Sequence, residues 1–157
     1  MPVTIRPFKP GDQPVFERLN LDWIEQHFVV EPSDRMQLGD PQTQIIDPGG
    51  AVFMAEVDGD VVGTVGLVAQ QGRDSVELIK MAVRDDARGQ GVGSILMEAV
   101  IAQARQFGAS QIWLETNTVL DQAVRLYKKF GFRVLADSEC VQTPYERCNC
   151  QMVMELG

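Results

Sequence analysis

Residues 83–100, VRDDARGQGVGSILMEAV, set glycines at 89, 91 and 93 behind Arg88 and then run straight into helix-forming sequence. The stretch before them, SVELIKMAV, reads as a strand, so the chain passes from strand to helix through a glycine-rich bend. A helix start exposes backbone N–H groups that lack partners and carries partial positive charge. Glycines let those groups approach an anion with no Cβ atoms in the way, and Arg88 adds a full charge at the mouth. Such a bend suits a pyrophosphate. Two familiar phosphate patterns fail on spacing. A P-loop requires a lysine after its second glycine, and none stands here. A dinucleotide fingerprint begun at Gly91 and Gly93 reaches Leu96 where its last glycine belongs. What remains is RxxGxG, Arg88 to Gly93.

The rest of the sequence limits what this bend belongs to. A chain of 157 residues suits one domain, 1–157, with a real core. No apolar run reaches the roughly 18 residues a membrane helix needs, and MPVTIRPFKP lacks the apolar centre of a signal peptide, so a cytoplasmic protein without membrane contact is expected. The net charge of −8 argues against nucleic acid as a partner. Three cysteines cannot all pair within one chain, and Cys148 and Cys150 read as reduced packing or surface residues. With His27 as the single histidine, no metal site is expected.

Along the chain, VTIRPFKPGD reads as a strand and turn, after which Asp12 caps a helix carrying Val15, Leu19 and Trp23 and ending near Phe28. Residues 29–47 admit a short helix around Met36–Leu38 or around Thr43–Ile46. AVFMAEV and VVGTVGLVA flank DGD as a hairpin. The helix behind the bend places Val92, Ile95, Leu96, Ala99, Val100 and Phe107 at helical spacing and stops at Gly108. QIWLET is a strand, and a helix comes next with Ala123, Leu126, Tyr127 and Phe130 on one face and Gly131 as its stop. FRVLAD and NCQMVMEL are the last strands. The pattern describes one compact α/β domain, a mixed sheet with helices on its faces.

Two stretches, KMAVRDDARGQGVGSILMEAV and LETNTVLDQAVRLYKKFGF, resemble in content, order and spacing the GCN5-related N-acetyltransferases, the GNAT family. The likeness runs from VTIRPFKPGD to LYKKFGF, most of the chain. It implies a mostly antiparallel central sheet of six or seven strands, splayed where acetyl-coenzyme A (acetyl-CoA) binds. By this resemblance the main chain of Met81, Ala82 and Val83 pairs with the pantetheine arm as an added strand would. The segment Arg88, Gly89, Gln90, Gly91, Val92, Gly93 and Ser94 takes the pyrophosphate. Arg84 is a candidate for the outer phosphate, with a solvated charge as the alternative.

Acetyl transfer to an amine needs a free-base nitrogen, a polarised thioester carbonyl and a proton for the departing thiolate. The resemblance matches Tyr127 to the acid at the coenzyme sulfur, the alternative being a core aromatic. It matches Glu77, four residues before Met81, to the base that accepts the amine proton. A glutamate in an apolar strand is costly to bury unless bonded or functional, and a solvent-facing strand end is the alternative. Asn117 matches a site contacting the coenzyme or the neighbouring strand, with an ordinary turn asparagine as the other reading. Lys80 falls on the opposite strand face from Glu77 and Met81 by the two-residue period and stays outside the chemistry.

The family's specificity segments fall at 28–46, 70–74 and 138–147, which hold Glu31, Asp34, Arg35, Asp40, Arg73, Glu139, Tyr145, Glu146 and Arg147; Asp47 lies just beyond the first. Arg147 is the first candidate for an acceptor carboxylate, a solvated strand-end arginine being the alternative. The expected activity is direct acetyl transfer to a primary amine of a small molecule in a ternary complex. The competing reading is a noncatalytic acyl-CoA-binding or sensing module of the same fold. CNCQMVMEL admits a homodimer through a sheet edge, or simply a buried strand.

Overall fold

The computed structural model describes residues 2–70 and 74–157. Its elements are β1 (Thr4–Pro7), α1 (Gln13–His27), α2 (Pro32–Gly39), β2 (Ala51–Val57), β3 (Asp60–Ala69), β4 (Ser75–Val83), α3 (Val92–Gln106), β5 (Gln111–Thr116), α4 (Asp121–Lys129), β6 (Arg133–Val134) and β7 (Cys150–Glu155). The seven strands form one sheet in the order β1, β2, β3, β4, β5, β7, β6. All neighbours run antiparallel except β4 and β5. This is the mixed, mostly antiparallel α/β sheet expected. Helices cover both faces: Phe16, Ile24 and Leu38 of α1 and α2 pack with Met54 and Ile79 on one, and Val92, Leu96, Met97 and Val100 of α3 pack with Ile112, Leu114 and Met152 on the other. Each of these buried side chains is worth roughly 1.5–3 kcal/mol in apolar area removed from water.

Local chemistry accounts for the elements and for the departures from expectation. Asp58 and Gly59 adopt φ of 53° and 83°, the left-handed pair a tight hairpin requires between β2 and β3. Asp12 does not cap α1 with its side chain; its carboxylate turns back to Arg6 and to the Lys9 N–H at 2.7 Å, closing a short 3₁₀ turn at Pro10–Asp12. Both candidate helices in 29–47 form, as α2 and as a π-helical turn at Gln42–Ile46. The buried stripe of α3 ends at Ala104; Phe107 is 42% exposed because Gly108, at φ 78°, takes the chain off the helix axis there. β6 is only two residues long, since Glu139 accepts the Ala136 N–H and winds the chain into a helical turn.

Two irregularities shape the course of β4. It pairs with β5 over three residues only, from Ser75 opposite Gln111 to Glu77 opposite Trp113, and the two strands part beyond Glu77. Between Gly66, opposite Ile79, and Thr64, opposite Ala82, the single residue Val65 faces both Lys80 and Met81, which is a β-bulge. Lys80 carries it at φ 51°.

Candidate active site

The parting of β4 from β5 leaves one edge of the β4 main chain without a sheet partner beyond Glu77. A cavity of about 560 Å³ occupies this gap, reaching from the glycine-rich bend to α1. Of the residues expected to bind the coenzyme, Met81, Ala82, Val83, Arg88, Gly89, Gly91, Val92, Gly93, Ser94 and Asn117 all line it. Gln90 does not, and neither does Arg84, whose guanidinium is paired with Asp86 at 2.5 Å.

Gly89 and Gly91 take φ of 82° and 79°, and Gly91 is the residue from which α3 starts. Nothing lies within 4 Å of where either glycine's Cβ would stand, so the space in front of the helix start is open. Among the described residues, no backbone or side-chain acceptor meets the amides of Gly89 through Ser94. These free donors, at the positive end of a 15-residue helix, form an anion cradle. Gly93 carries a packing constraint as well. It lies inside α3, and a Cβ there would stand 3.2 Å from Leu126 Cδ2, so it permits α3 to pack on α4.

Tyr127 lines the cavity from α4 with its ring against Phe132, the centroids 5.8 Å apart. Its hydroxyl has no hydrogen-bond partner among the described residues, and burial pushes its pKa up to about 12. It therefore keeps its proton until negative charge develops beside it. Asn117 spends its side chain on the protein: Nδ2 donates to the Arg147 carbonyl at 2.8 Å and Oδ1 accepts from Val119 N–H at 2.9 Å. It ties residues 147–149 to the end of β5.

Glu77 is partly buried and does not line the cavity. Glu115, on β5, does line it, and no sequence signal had singled it out beyond its being the one carboxylate in QIWLET. Burial and the neighbouring Glu115 charge raise the Glu77 pKa from 4.5 to about 8, against an opposing pull from Lys80. Burial also raises Glu115, opposed by hydrogen bonds from Thr143 Oγ1 at 2.9 Å and Gln151 Nε2 at 3.2 Å.

Lys80 overturns its sequence placement. Ile79 packs in the α1 and α2 cluster, and Lys80, its immediate neighbour, reaches Asp34 of α2 on that same side at 2.5 Å. Two successive side chains on one face are impossible in a regular strand, and the bulge supplies the extra half-step. Met81 and Val83 then pack against the α3 cluster, away from Glu77. Asp34 is fully buried, and Arg147 meets it with two bonds of 2.6 Å. Although burial alone would raise it, Asp34 is held down to about 2 by Arg147 and Lys80. Of the specificity segments, Tyr145 and Arg147 thus reach the cavity, with Asp34 behind them bonded to both Lys80 and Arg147, while Glu139 pairs with Arg133 on the surface. Arg73 lies outside the described residues.

Comparison with known proteins agrees with this geometry. The acetyltransferase (GNAT) family profile matches residues 15–132, well over half of the chain. The chain is 34% identical over 111 residues to the uncharacterized N-acetyltransferase YjgM of Escherichia coli, covering 69% of this chain and 66% of that one. It is 37% identical over 90 residues to an uncharacterized N-acetyltransferase of Mycobacterium tuberculosis, which is 57% of each; the match thus spans little more than half of that relative. In fold it resembles an acetyltransferase of the GNAT family from Staphylococcus aureus, with a TM-score of 0.91 at 19% identity over 99% of this chain and 100% of that one. It is also similar to N-acetylglutamate synthase from Neisseria gonorrhoeae complexed with coenzyme A and N-acetyl-glutamate, with a TM-score of 0.77 and 26% identity over 100% of this chain and 36% of that one. The chain belongs to the acetyltransferase (GNAT) family. Among the described residues, no helix is long and apolar enough to cross a membrane.

Proposed function

We propose that the protein transfers the acetyl group of acetyl-CoA to a primary amine of a small molecule by direct attack in a ternary complex. The observation that carries this reading is the single cavity that joins the free amides of the bend, the unpaired edge of β4 and the unpartnered hydroxyl of Tyr127. The pyrophosphate sits on the amides of Gly89 to Ser94, with Arg88 at the mouth. The pantetheine arm pairs with the backbone of Met81 to Val83 as a further strand. Its thioester then lies in the splay, between Tyr127 and the carboxylates.

The amine arrives protonated and must lose a proton before it attacks. Glu115 faces the cavity and is the group that takes it, directly or through one water. Glu77 is its neighbour: burial and the Glu115 charge raise its pKa to about 8, so its proton responds to the charge that Glu115 carries. The amine nitrogen then forms its bond to the acetyl carbon, the carbon–sulfur bond breaks, and Tyr127 delivers its proton to the departing thiolate. No cysteine of the chain is needed for an acyl-enzyme; Cys148 lines the cavity, but burial raises its pKa and keeps it a thiol.

The test is release of coenzyme A thiol from acetyl-CoA against a panel of amino acids, polyamines, aminoglycosides and lysine peptides, with Tyr127→Phe as control. Turnover that collapses in the control supports the reading. A silent panel from protein that still binds coenzyme A replaces it with a noncatalytic acyl-CoA-binding module.

A further inference from the structure

Opposite the glycine-rich bend, the cavity is walled by Trp23 of α1 and Phe28 just past its end, Lys80 of the bulge, Glu115, and Tyr145 and Arg147 of the segment before β7. The charges here are unequally available. Asp34 accepts four donors: Lys80 Nζ at 2.5 Å, Arg147 Nη1 and Nη2 at 2.6 Å each, and the Glu31 N–H at 2.9 Å. With no exposed surface, it has nothing left to offer a ligand.

The cations around it are not used up. A lysine carries three N–H donors and an arginine five. Lys80 gives one to Asp34 and a long one, 3.4 Å, to Tyr145 Oη. Arg147 gives two to Asp34, and the nearest Glu31 oxygen is 3.6 Å from Nη1. The rings of Tyr145, Trp23 and Phe28 lie 4.4, 5.7 and 5.9 Å from the guanidinium carbon. Aromatic neighbours of this kind hold the group in place without consuming hydrogen-bond donors. On the acidic side, Glu77 lies off the cavity, and Asp121, the other carboxylate of the lining, stands at the start of α4 and pairs with Arg125 at 2.8 Å, which leaves Glu115 as the carboxylate at this end. A polycation therefore finds one partner and two repelling charges. A molecule with one amine and one carboxylate finds a partner for each.

We infer that the acceptor is an amine bearing a carboxylate and an apolar side chain, an amino acid of the leucine, methionine or phenylalanine kind. Its carboxylate is held by the spare donors of Arg147 and Lys80, its side chain lies against Trp23 and Phe28, and its amine is directed to Glu115. This assignment rests on the proposed acetyl transfer and narrows it to one substrate class. It also makes Lys80 and Arg147 specificity-determining residues.

The experiment compares leucine, methionine and phenylalanine with their primary amides, which keep the amine and side chain but lose the negative charge, and with spermidine, using thiol release by the full chain. A charge-assisted contact predicts that the best free acid exceeds its amide in kcat/KM by roughly tenfold to a hundredfold, mostly through KM. In Arg147→Met the ratio falls toward one because KM for the acid rises while KM for the amide does not. Arg147→Lys keeps a charge on Asp34 and part of the ratio, and it reports in place of Arg147→Met should that variant fail to show a coenzyme A-induced melting shift. Equal use of acid and amide, a ratio unchanged in the variants, or preference for spermidine overturns the acceptor assignment and leaves acetyl transfer standing. Absence of thiol release with these compounds, from protein that acetylates another amine of the wider panel, overturns the acceptor assignment alone; absence across the wider panel as well, from protein whose melting point coenzyme A still raises, removes the acetyl-transfer reading and this inference with it.

Discussion

Glu77→Gln separates the carboxylate's electrostatic cost from its role in the reaction. Folding raises the Glu77 pKa from 4.5 to about 8, a difference of 3.5. At about 1.36 kcal/mol per unit, the upper bound on the cost of carrying it ionised is roughly 5 kcal/mol. A carboxyl whose pKa is raised on folding contributes stability that is intact below 4.5 and is lost as pH rises through about 8. Integrated between pH 6 and pH 8, the linkage relation gives a loss of about 2 kcal/mol from this one group. In a domain of this size that corresponds to a melting point lower by roughly 4–8 °C. Glutamine has nearly the same shape and no proton to lose, so the variant does not show this part of the decline. Melting curves of both proteins from pH 6 to 9 read the effect as a difference, which removes every other titrating group from the comparison. A gap that widens with pH in favour of Glu77→Gln is expected. A gap that stays constant across the range means that Glu77 is already ionised in the folded protein at pH 6, and the carboxylate pair does not exist as described. The same variant reports on chemistry: the rise of kcat/KM toward pH 8 flattens if the pair's ionisation governs loss of the amine proton.

The rest of the site is open to the same kind of test. Tyr127→Phe removes the proton source at sulfur and lowers kcat by roughly a hundredfold or more while the coenzyme A melting shift is retained, and an unchanged kcat in steady-state assays would exclude the assigned acid. Asp34→Asn leaves Lys80 and Arg147 without their buried counter-charge and costs about 3–5 kcal/mol in denaturant unfolding, so a midpoint equal to that of the parent would show the ion pairs to be idle. Because Asp34 is held down to about 2, its stabilisation is full above 3.8 and is lost as pH falls toward 2, and the acid limb of unfolding is accordingly shallower in Asp34→Asn than in the parent. Gly91→Ala places a Cβ at φ 79° and costs roughly 1–2 kcal/mol in stability, with a loss of coenzyme A affinity in calorimetry beyond what that strain accounts for; Gly93→Ala, inside α3 at a negative φ, escapes that backbone strain and leaves the affinity within a few fold.

The half of the cavity around the glycine-rich bend was legible in the sequence because its determinants are local. A strand, a run of alternating glycines and an amphipathic helix dictate a bend whose amides are free, whatever the rest of the chain does. Ten of the residues named for it line the cavity, from Met81 through Asn117. The helix stops at Gly108 and Gly131 were legible for the same reason, since a left-handed φ is a property of the residue itself. Where a local signal misled, a tertiary contact had replaced it: Asp12 faces Arg6 rather than its helix.

The acceptor half was illegible because its members come from four places and one of them breaks the strand period. Alternation counts residues, and a bulge changes the count without leaving a mark in composition. Lys80 was set aside on that count, although a lysine between Ile79 and Met81 in an apolar strand already posed a question that alternation alone does not answer: a buried ammonium needs a partner. That partner, Asp34, is 46 residues away on α2, and the second cation it holds, Arg147, is 113 residues away. The order of cause is the reverse of the order of reading. The ion pair requires Lys80 to face α2, facing α2 requires the bulge at φ 51°, and the bulge sends Met81 and Val83 to the opposite side of the sheet. One buried carboxylate therefore helps to set the course of the strand that lines the cavity. Asp34→Asn accordingly perturbs acetyl-CoA binding although Asp34 is itself absent from the cavity lining and meets it only through Lys80 and Arg147, and an unchanged KM for acetyl-CoA in that variant would separate the two halves of the site.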